Sequence, residues 1–436
     1  MRARTRDRAV YLAAHPFLFA LLATTRHRPV LRLGRTVLVH DRQAFTAALT
    51  RLPLDRTAAG TTGGAVSALT TAGALFDQQG PAHRQTRRTA ADPLSATGIA
   101  TLRPLWTHLM TEGLRPLATG AQVDLVPLAA QVAGATALAL LAADNKTRSP
   151  ASAPNPATQA AAPFPETRPR DLAPGQTNAA HSDNAMPAPA DAARAAATQP
   201  EAGTARAMAQ TAQSATALGE EGAAWALAEA ARAAAAATAR EHLPRLFRGR
   251  ASAAARTTAA HLTALVAPDG GDRAGLHTML AVATINTTVA ALPRAAAWAA
   301  DDDLWHAAAT DPAVLADELL RVIAPTPLLP RAAAADGDLP PGCPIHAGDR
   351  LMLIARHAAD AHRSDPDPAA PAAPQTARLV FGAGPHACPG ARLARAQMAD
   401  WLAALAPYRP VVTRARPDRR SALPGWASLA IRAGTQ

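Results

Sequence analysis

The ten residues from Phe381 to Gly390, FGAGPHACPG, constrain this chain more than any other stretch, because they place one of only two cysteines in a turn shaped to present its sulfur. Gly382 and Gly384 allow backbone angles or close approaches that a side chain would forbid. Phe381 ends a short apolar run, RLVF, and Pro389 beyond the cysteine suits a first helical position. The segment that follows, ARLARAQMADWLAAL, carries Leu393, Met398, Trp401, Leu402 and Leu405 at helical spacing. Cys388 is therefore expected just ahead of a helix N-terminus, where free N–H groups and the helix dipole favour an anionic sulfur and lower its pKa. Two readings fit such a turn: a thiolate offered to a metal, or a buried and inert structural cysteine.

FGAGPHACPGARLAR resembles the haem-thiolate signature of the cytochromes P450, Phe-Gly-x-Gly-x-His-x-Cys-x-Gly followed by a Leu-Ala-Arg helix, with every defining position filled. The resemblance implies that Cys388 is the metal ligand of a haem b iron. It also implies that Phe381 packs near the sulfur and that His386 reaches a haem propionate. A thiolate ligand pushes electron density toward iron and favours O–O cleavage. Upstream, DPAVLADELLRVIAPTP reads as a helix on Val314, Leu315, Leu319, Val322 and Ile323, ended by Pro325 and Pro327. Glu318 and Arg321 lie on one face of it and can pair. An isolated pair of this kind is usually a solvated surface contact. Its position resembles the family's K helix, where the pair braces the fold around the haem.

In GPAHRQTRRTAADPLS, His83 and Arg87 are one helical turn apart and can address a single anionic group. Their spacing is similar to the His-x-x-x-Arg of the family's C helix. Arg331, in LLPRAAAAD, stands where the family places another propionate-binding arginine; the planar fork of arginine suits a carboxylate. Without the resemblance, all three read as ordinary surface bases. The family's I helix usually reads Ala-Gly-x-acid-Thr-Thr. The matching residues here are Ala283, Thr284, Ile285, Asn286, Thr287 and Thr288, so the glycine and the acid are both replaced. Thr287 keeps the hydroxyl that the resemblance assigns to catalysis. Asn286, the second catalytic candidate, can orient water but cannot carry a proton at neutral pH. Pro293 should kink or end this helix. The segment AHRSDPDPAAPAAPQTARLVFG lacks the family's phenylalanine and arginine before the cysteine turn, leaving Arg363 and Arg378 as candidates for completing the network with Glu318 and Arg321.

With 436 residues and 49% hydrophobic content the chain suffices for one large unit or two ordinary domains, and motifs running from His83 to Gly390 argue for one. Residues 1–144 and 214–436 are read as the N-terminal and haem-binding parts of the same domain. Between them, 145–213 is rich in Pro, Ala, Ser and Thr and is expected to be disordered, with helix resuming near Leu218. By resemblance it either expands the loop at the substrate lid or replaces part of the lid. Near the N-terminus LAAHPFLFALLATTR is too short to cross a membrane and holds His15 and Pro16; it reads as a helix leading into a hairpin on Val30, Leu31, Leu33, Val37, Leu38 and Val39. Cys343 and Cys388 make no disulfide framework, which suits a reducing cytoplasm. A formal charge of +11 would suggest nucleic acid. Lysine occurs once, at Lys146, aromatics are 3% of residues, and no basic-aromatic interleaving is present, so neither nucleic acid nor membrane is expected as a partner.

The expectation is a mostly α protein with a smaller β portion, a P450-like fold with haem between the I and L helices. The resemblance implies a monomeric monooxygenase that activates O₂ and inserts one oxygen atom into a small organic substrate. Electrons would come from NAD(P)H through a ferredoxin reductase and an acidic ferredoxin, which Arg84, Arg88, Arg392 and Arg395 could face. Two alternatives stay open: a peroxide-driven or oxidative-coupling enzyme with an altered proton relay, and a non-catalytic P450-like partner protein.

Overall fold

The computed structural model describes residues 3–61, 63–64, 75, 78, 80–89, 91–146, 219–241, 249–268 and 273–434. The expected disordered insert lies outside them, apart from residues 145 and 146, which close a helix. LAAHPFLFALLATTR contributes to two helices rather than one, because a proline opens a helix more easily than it continues one. α1 (Ala3–Ala14) stops and α2 (Pro16–Thr25) begins at Pro16.

The hairpin follows as the sequence predicts, with β1 (Val30–Leu33) paired to β2 (Thr36–Val39) and Leu33 opposite Thr36 around Gly34. α3 (Arg42–Thr50) is capped by Asp41, whose carboxylate accepts from the Ala44 N–H at 2.9 Å. β3 (Leu54–Asp55), β5 (Leu329–Ala333) and β8 (Arg350–Leu353) complete a five-stranded sheet in the order β1-β2-β8-β5-β3. α3 and this sheet enclose a compact core containing Phe45, Leu351 and Leu353. Two smaller sheets join β6 (Gly337–Leu339) to β7 (Cys343–Ile345), and β4 (Val123–Asp124) to β10 (Trp426–Arg432) and β9 (Val411–Pro417).

The larger part is helical: α4 (Gly80–Thr89), α5 (Ala96–Leu114), α6 (Leu125–Lys146), α7 (Glu220–Glu241), α8 (Gly249–Val266), α9 (Ala274–Asp301), α10 (Trp305–Thr310), α11 (Pro312–Ile323) and α12 (Ala391–Leu405). Abundant alanine permits very close helix packing. Gly134 on α6 lies against the Ala224 carbonyl of α7, where an added Cβ would stand 2.0 Å from the oxygen. α9 runs through this core against α6, α7 and α12. Two helices, Leu125–Asp144 and Ala274–Asp301, are long and apolar enough to span a membrane, but 67% and 61% of their apolar windows are buried inside the protein, as in core helices. Pro293 does not end α9, which continues to Asp301. Burial of the whole run from Thr288 to Ala299 outweighs the roughly 3 kcal/mol that an internal proline costs.

Candidate functional site

The cysteine turn is built on the hydrogen bonds its glycines permit. Gly382 and Gly384 have φ of 77° and 71°, in the left-handed region that favours glycine. A Cβ on Gly384 would approach the Leu49 carbonyl of α3 to 2.9 Å, so this residue also lets the turn seat against α3. The Cys388 N–H donates to the Phe381 carbonyl at 2.8 Å, closing the loop, and Phe381 itself packs against both the helical core and the sheet core. α12 starts at Ala391 with Gly390 as its cap, so Pro389 lies ahead of the first helical position rather than in it. Its inward face buries Leu393, Met398, Trp401, Leu402 and Leu405, as their spacing predicts.

Cys388 is solvent-accessible and yet closely surrounded by protein. The expected fall in its pKa does not occur. Desolvation raises it, and the opposing Gly390 N–H and Arg87 charge do not compensate. A metal cation would reverse this balance, since coordination deprotonates a thiol outright.

Two separate elements converge on the turn. From α4, the His83 ring lies over the His386 ring with centroids 3.9 Å apart, and Arg87 Nη1 donates to the Ala387 carbonyl at 2.7 Å. From β5 comes Arg331, close enough to bear on His386. Burial and the nearby positive charge of Arg56, His83, Arg331 and Arg87 push the His386 pKa down to about 3. Burial and then Arg56 push Arg331 to about 10. The sequence points to His83, Arg87, Arg331 and His386, but not to Arg56, which is 8% exposed. Nothing local marks Arg56, because its neighbours come from strands and helices distant in sequence. The turn and its flanking bases form a dense positive cluster, and no carboxylate pairs with Arg56 or Arg87 among the described residues. Such a donor set fits a metal-bearing group with acidic side arms.

On α9, Ala283, Thr284 and Thr287 share a half-buried face, whereas Ile285 and Thr288 are buried. Thr287 Oγ1 donates to the Ala283 carbonyl at 2.7 Å. Asn286 turns away toward α7, its amide donating to the carbonyls of Val282 at 2.9 Å and Ala231 at 3.3 Å. It lines a small hollow of about 170 Å³ with Glu229 and Asp418 rather than joining the cluster at Cys388. A cavity of about 590 Å³ is also elsewhere, bordered by Arg26, His40, Arg42, His357 and His362. No cysteine is among its lining residues.

Glu318 and Arg321 on α11 form a fully buried pair, at 2.6 and 3.1 Å. Neither Arg363 nor Arg378 completes their network: Arg363 pairs with Asp360 at 3.3 Å, and Arg378 is exposed. Loop backbone takes that place. The N–H groups of Asp367 and Ala372 donate to Glu318, while Arg321 donates to Ser364 Oγ and the Asp365 carbonyl. On the outer face near the turn, Arg84, Arg88 and Arg392 are exposed, whereas Arg395 pairs with Asp317.

No protein-family model and no curated protein matches the sequence. Solved structures match it along its length. A six-coordinated cytochrome P450 from Thermus thermophilus is 16% identical with a TM-score of 0.62, covering 96% of this chain and 98% of that one. CYP108D1 from Novosphingobium aromaticivorans is 22% identical with a TM-score of 0.58, covering 99% and 98%. P450BioI, solved with hexadec-9Z-enoic acid ligated acyl carrier protein, is 15% identical with a TM-score of 0.60, covering 97% and 100%. The chain has the cytochrome P450 fold, mostly helical with a small sheet portion.

Proposed function

We propose that the protein is a haem-thiolate monooxygenase that inserts one atom of O₂ into a small organic substrate. The observation that carries this reading is the convergence of α4 and β5 on the Cys388 turn, with His83 against His386 and Arg87 on the Ala387 carbonyl. Haem b, once bound, supplies reductive O₂ activation and oxygen-atom insertion.

Each residue then has a defined task. Cys388 ligates the iron as thiolate, and the Gly390 N–H helps hold its charge. Arg87, Arg331, His83 and His386 bind the propionates, which otherwise could not be buried without a large cost. Phe381, wedged between two cores, fixes the turn and limits water at the sulfur. Thr287 holds a water at Oγ1, which accepts from that water because its own hydroxyl donates to the Ala283 carbonyl, and so positions the water as the proton donor. Asn286 fixes the spacing of α7 and α9 through its amide, and its Oδ1 orients water in the adjoining hollow. Electrons arrive from NAD(P)H by way of a reductase and an acidic ferredoxin, for which exposed Arg84, Arg88 and Arg392 suit the docking face.

The test is an absorbance spectrum of the reduced protein under carbon monoxide. Thiolate ligation gives a Soret band shifted far to the red, and Cys388→Ser should lose it. A haem-reconstituted wild-type protein without that band would overturn the reading.

A further inference from the structure

Arg56 has no role in the reading above, yet its position is costly without one. In the antiparallel pair of β3 and β5, Leu54 faces Ala333 and Asp55 faces Ala332. The ladder ends there, and Arg56 follows as the first residue of the loop, near enough to Arg331 and His386 for its charge to bear on both. Like charges held this close repel. Arg56 is buried, at 8% exposure. Among the described residues no carboxylate lies within ion-pair distance of its guanidinium. The acid next to it in sequence is not available. Asp55 accepts from Thr57 N, Thr57 Oγ1 and Ala58 N, turned away along the loop. A buried cation beside another cation is strongly disfavoured unless an anion lies between them.

We propose that Arg56 supplies an additional guanidinium for a haem propionate, bridging β3 to the acidic edge of the cofactor beside Arg331 and His386. The proposal rests on the haem-thiolate reading and extends it to a residue outside the motifs. Arg56 is a positioning residue here: it retains and orients the cofactor and does not touch the reacting atoms.

The experiment compares haem retention in holoprotein carrying ordinary haem or haem dimethyl ester, whose propionates are masked. Wild type, Arg56→Ala and Arg56→Lys are each mixed with excess apomyoglobin, and transfer of ferric haem is followed by absorbance. With ordinary haem, Arg56→Ala should lose its cofactor roughly tenfold faster than wild type, the scale of one charge-assisted hydrogen bond, and Arg56→Lys should recover part of the difference. With the ester, wild type and Arg56→Ala should lose it at the same rate. Equal rates with ordinary haem would overturn the proposal, as would an acceleration of the same size with the ester, which would mark a merely structural effect. The carbon monoxide spectrum separates the two levels. A normal thiolate band with unchanged retention sinks Arg56 alone, whereas a wild type without that band sinks the haem reading and Arg56 with it.

Discussion

Asp7 offers a sharp test of how the helical core is held to the rest of the protein. Its carboxylate, 4% exposed on α1, accepts from Arg294 Nε at 2.9 Å and Nη2 at 2.6 Å on α9, and from Arg356 Nη1 at 3.2 Å. Both guanidinium groups also stand over the Tyr11 ring, at 4.5 and 4.2 Å from its centroid, and the Tyr11 hydroxyl donates to the Ile323 carbonyl at the end of α11. Burial by itself lowers the Arg294 pKa, and the adjacent Asp7 charge together with Tyr11 more than restores it. Asp7→Ala therefore leaves two buried cations with no carboxylate, and removal of one partner of a buried pair costs about 3–5 kcal/mol. Cation–π contacts of ~1–2 kcal/mol remain and keep the loss from being larger. For a chain of this length each kcal/mol shifts the thermal midpoint by about 1 °C, so the expected fall is about 3–5 °C, with a matching drop in the urea midpoint. Adding Arg294→Met to Asp7→Ala removes one orphaned charge and should recover part of the loss. A shift below about 1 °C in Asp7→Ala, or a double variant less stable than the single by the full cost of each change, would refute the reasoning.

Glu318→Ala should be more damaging still, since it orphans Arg321 and two loop N–H groups at once; little soluble protein, or a urea midpoint lowered by more than the Asp7 variant, is expected, and near wild-type stability would contradict the network. A pH dependence follows from the cluster in which His40 Nδ1 and His357 Nδ1 share a hydrogen bond at 2.7 Å. Burial, then His362, His40, Arg356 and Arg26, push His357 down to about 2 from 6.5, so the stability its neutral form contributes is full above pH 6.5 and falls as pH drops toward the folded value. At pH 5 the loss is at most about 2 kcal/mol, shared among coupled histidines, and a thermal midpoint that declines between pH 7 and 5 less steeply in His357→Gln is the expected result.

What the sequence made legible is what lies close together along it. FGAGPHACPG carries its own turn chemistry, and the α12 face follows from 3.6-residue spacing, so the loop and helix are found where local rules put them. His83 and Arg87 were readable as a one-turn pair, but their target was not, because the stacking of His83 on His386 brings residues from α4 to a distant loop. Arg56 was invisible for the same reason: only the pairing of β3 with β5, which ends one residue before it, brings it near Arg331. Local rules also misled where tertiary terms were larger. The dipole argument for a lowered Cys388 pKa is correct in sign, yet desolvation at the walled-in sulfur exceeds it. Proline should end a helix, yet α9 continues past Pro293 because its following turns are almost wholly buried.

The missing arginine before the cysteine turn shows how a pattern can change while its physical requirement persists. Two buried charges, Glu318 and Arg321, need hydrogen-bond partners whatever residues surround them. In this chain a proline- and alanine-rich loop turns its own backbone toward them, with Asp367 and Ala372 donating and Asp365 accepting. Backbone groups survive every substitution except to proline, which removes the N–H, so this bracing tolerates changes of loop side chains that would break an arginine-based network. It does depend on the path of the loop, and the prolines at 366, 368, 371 and 374 restrict that path by fixing φ. Rigidity near the cysteine turn thus comes from restricted backbone and not from a third charged side chain, which is why searching the sequence for that side chain finds nothing while the Glu318–Arg321 pair remains fully buried.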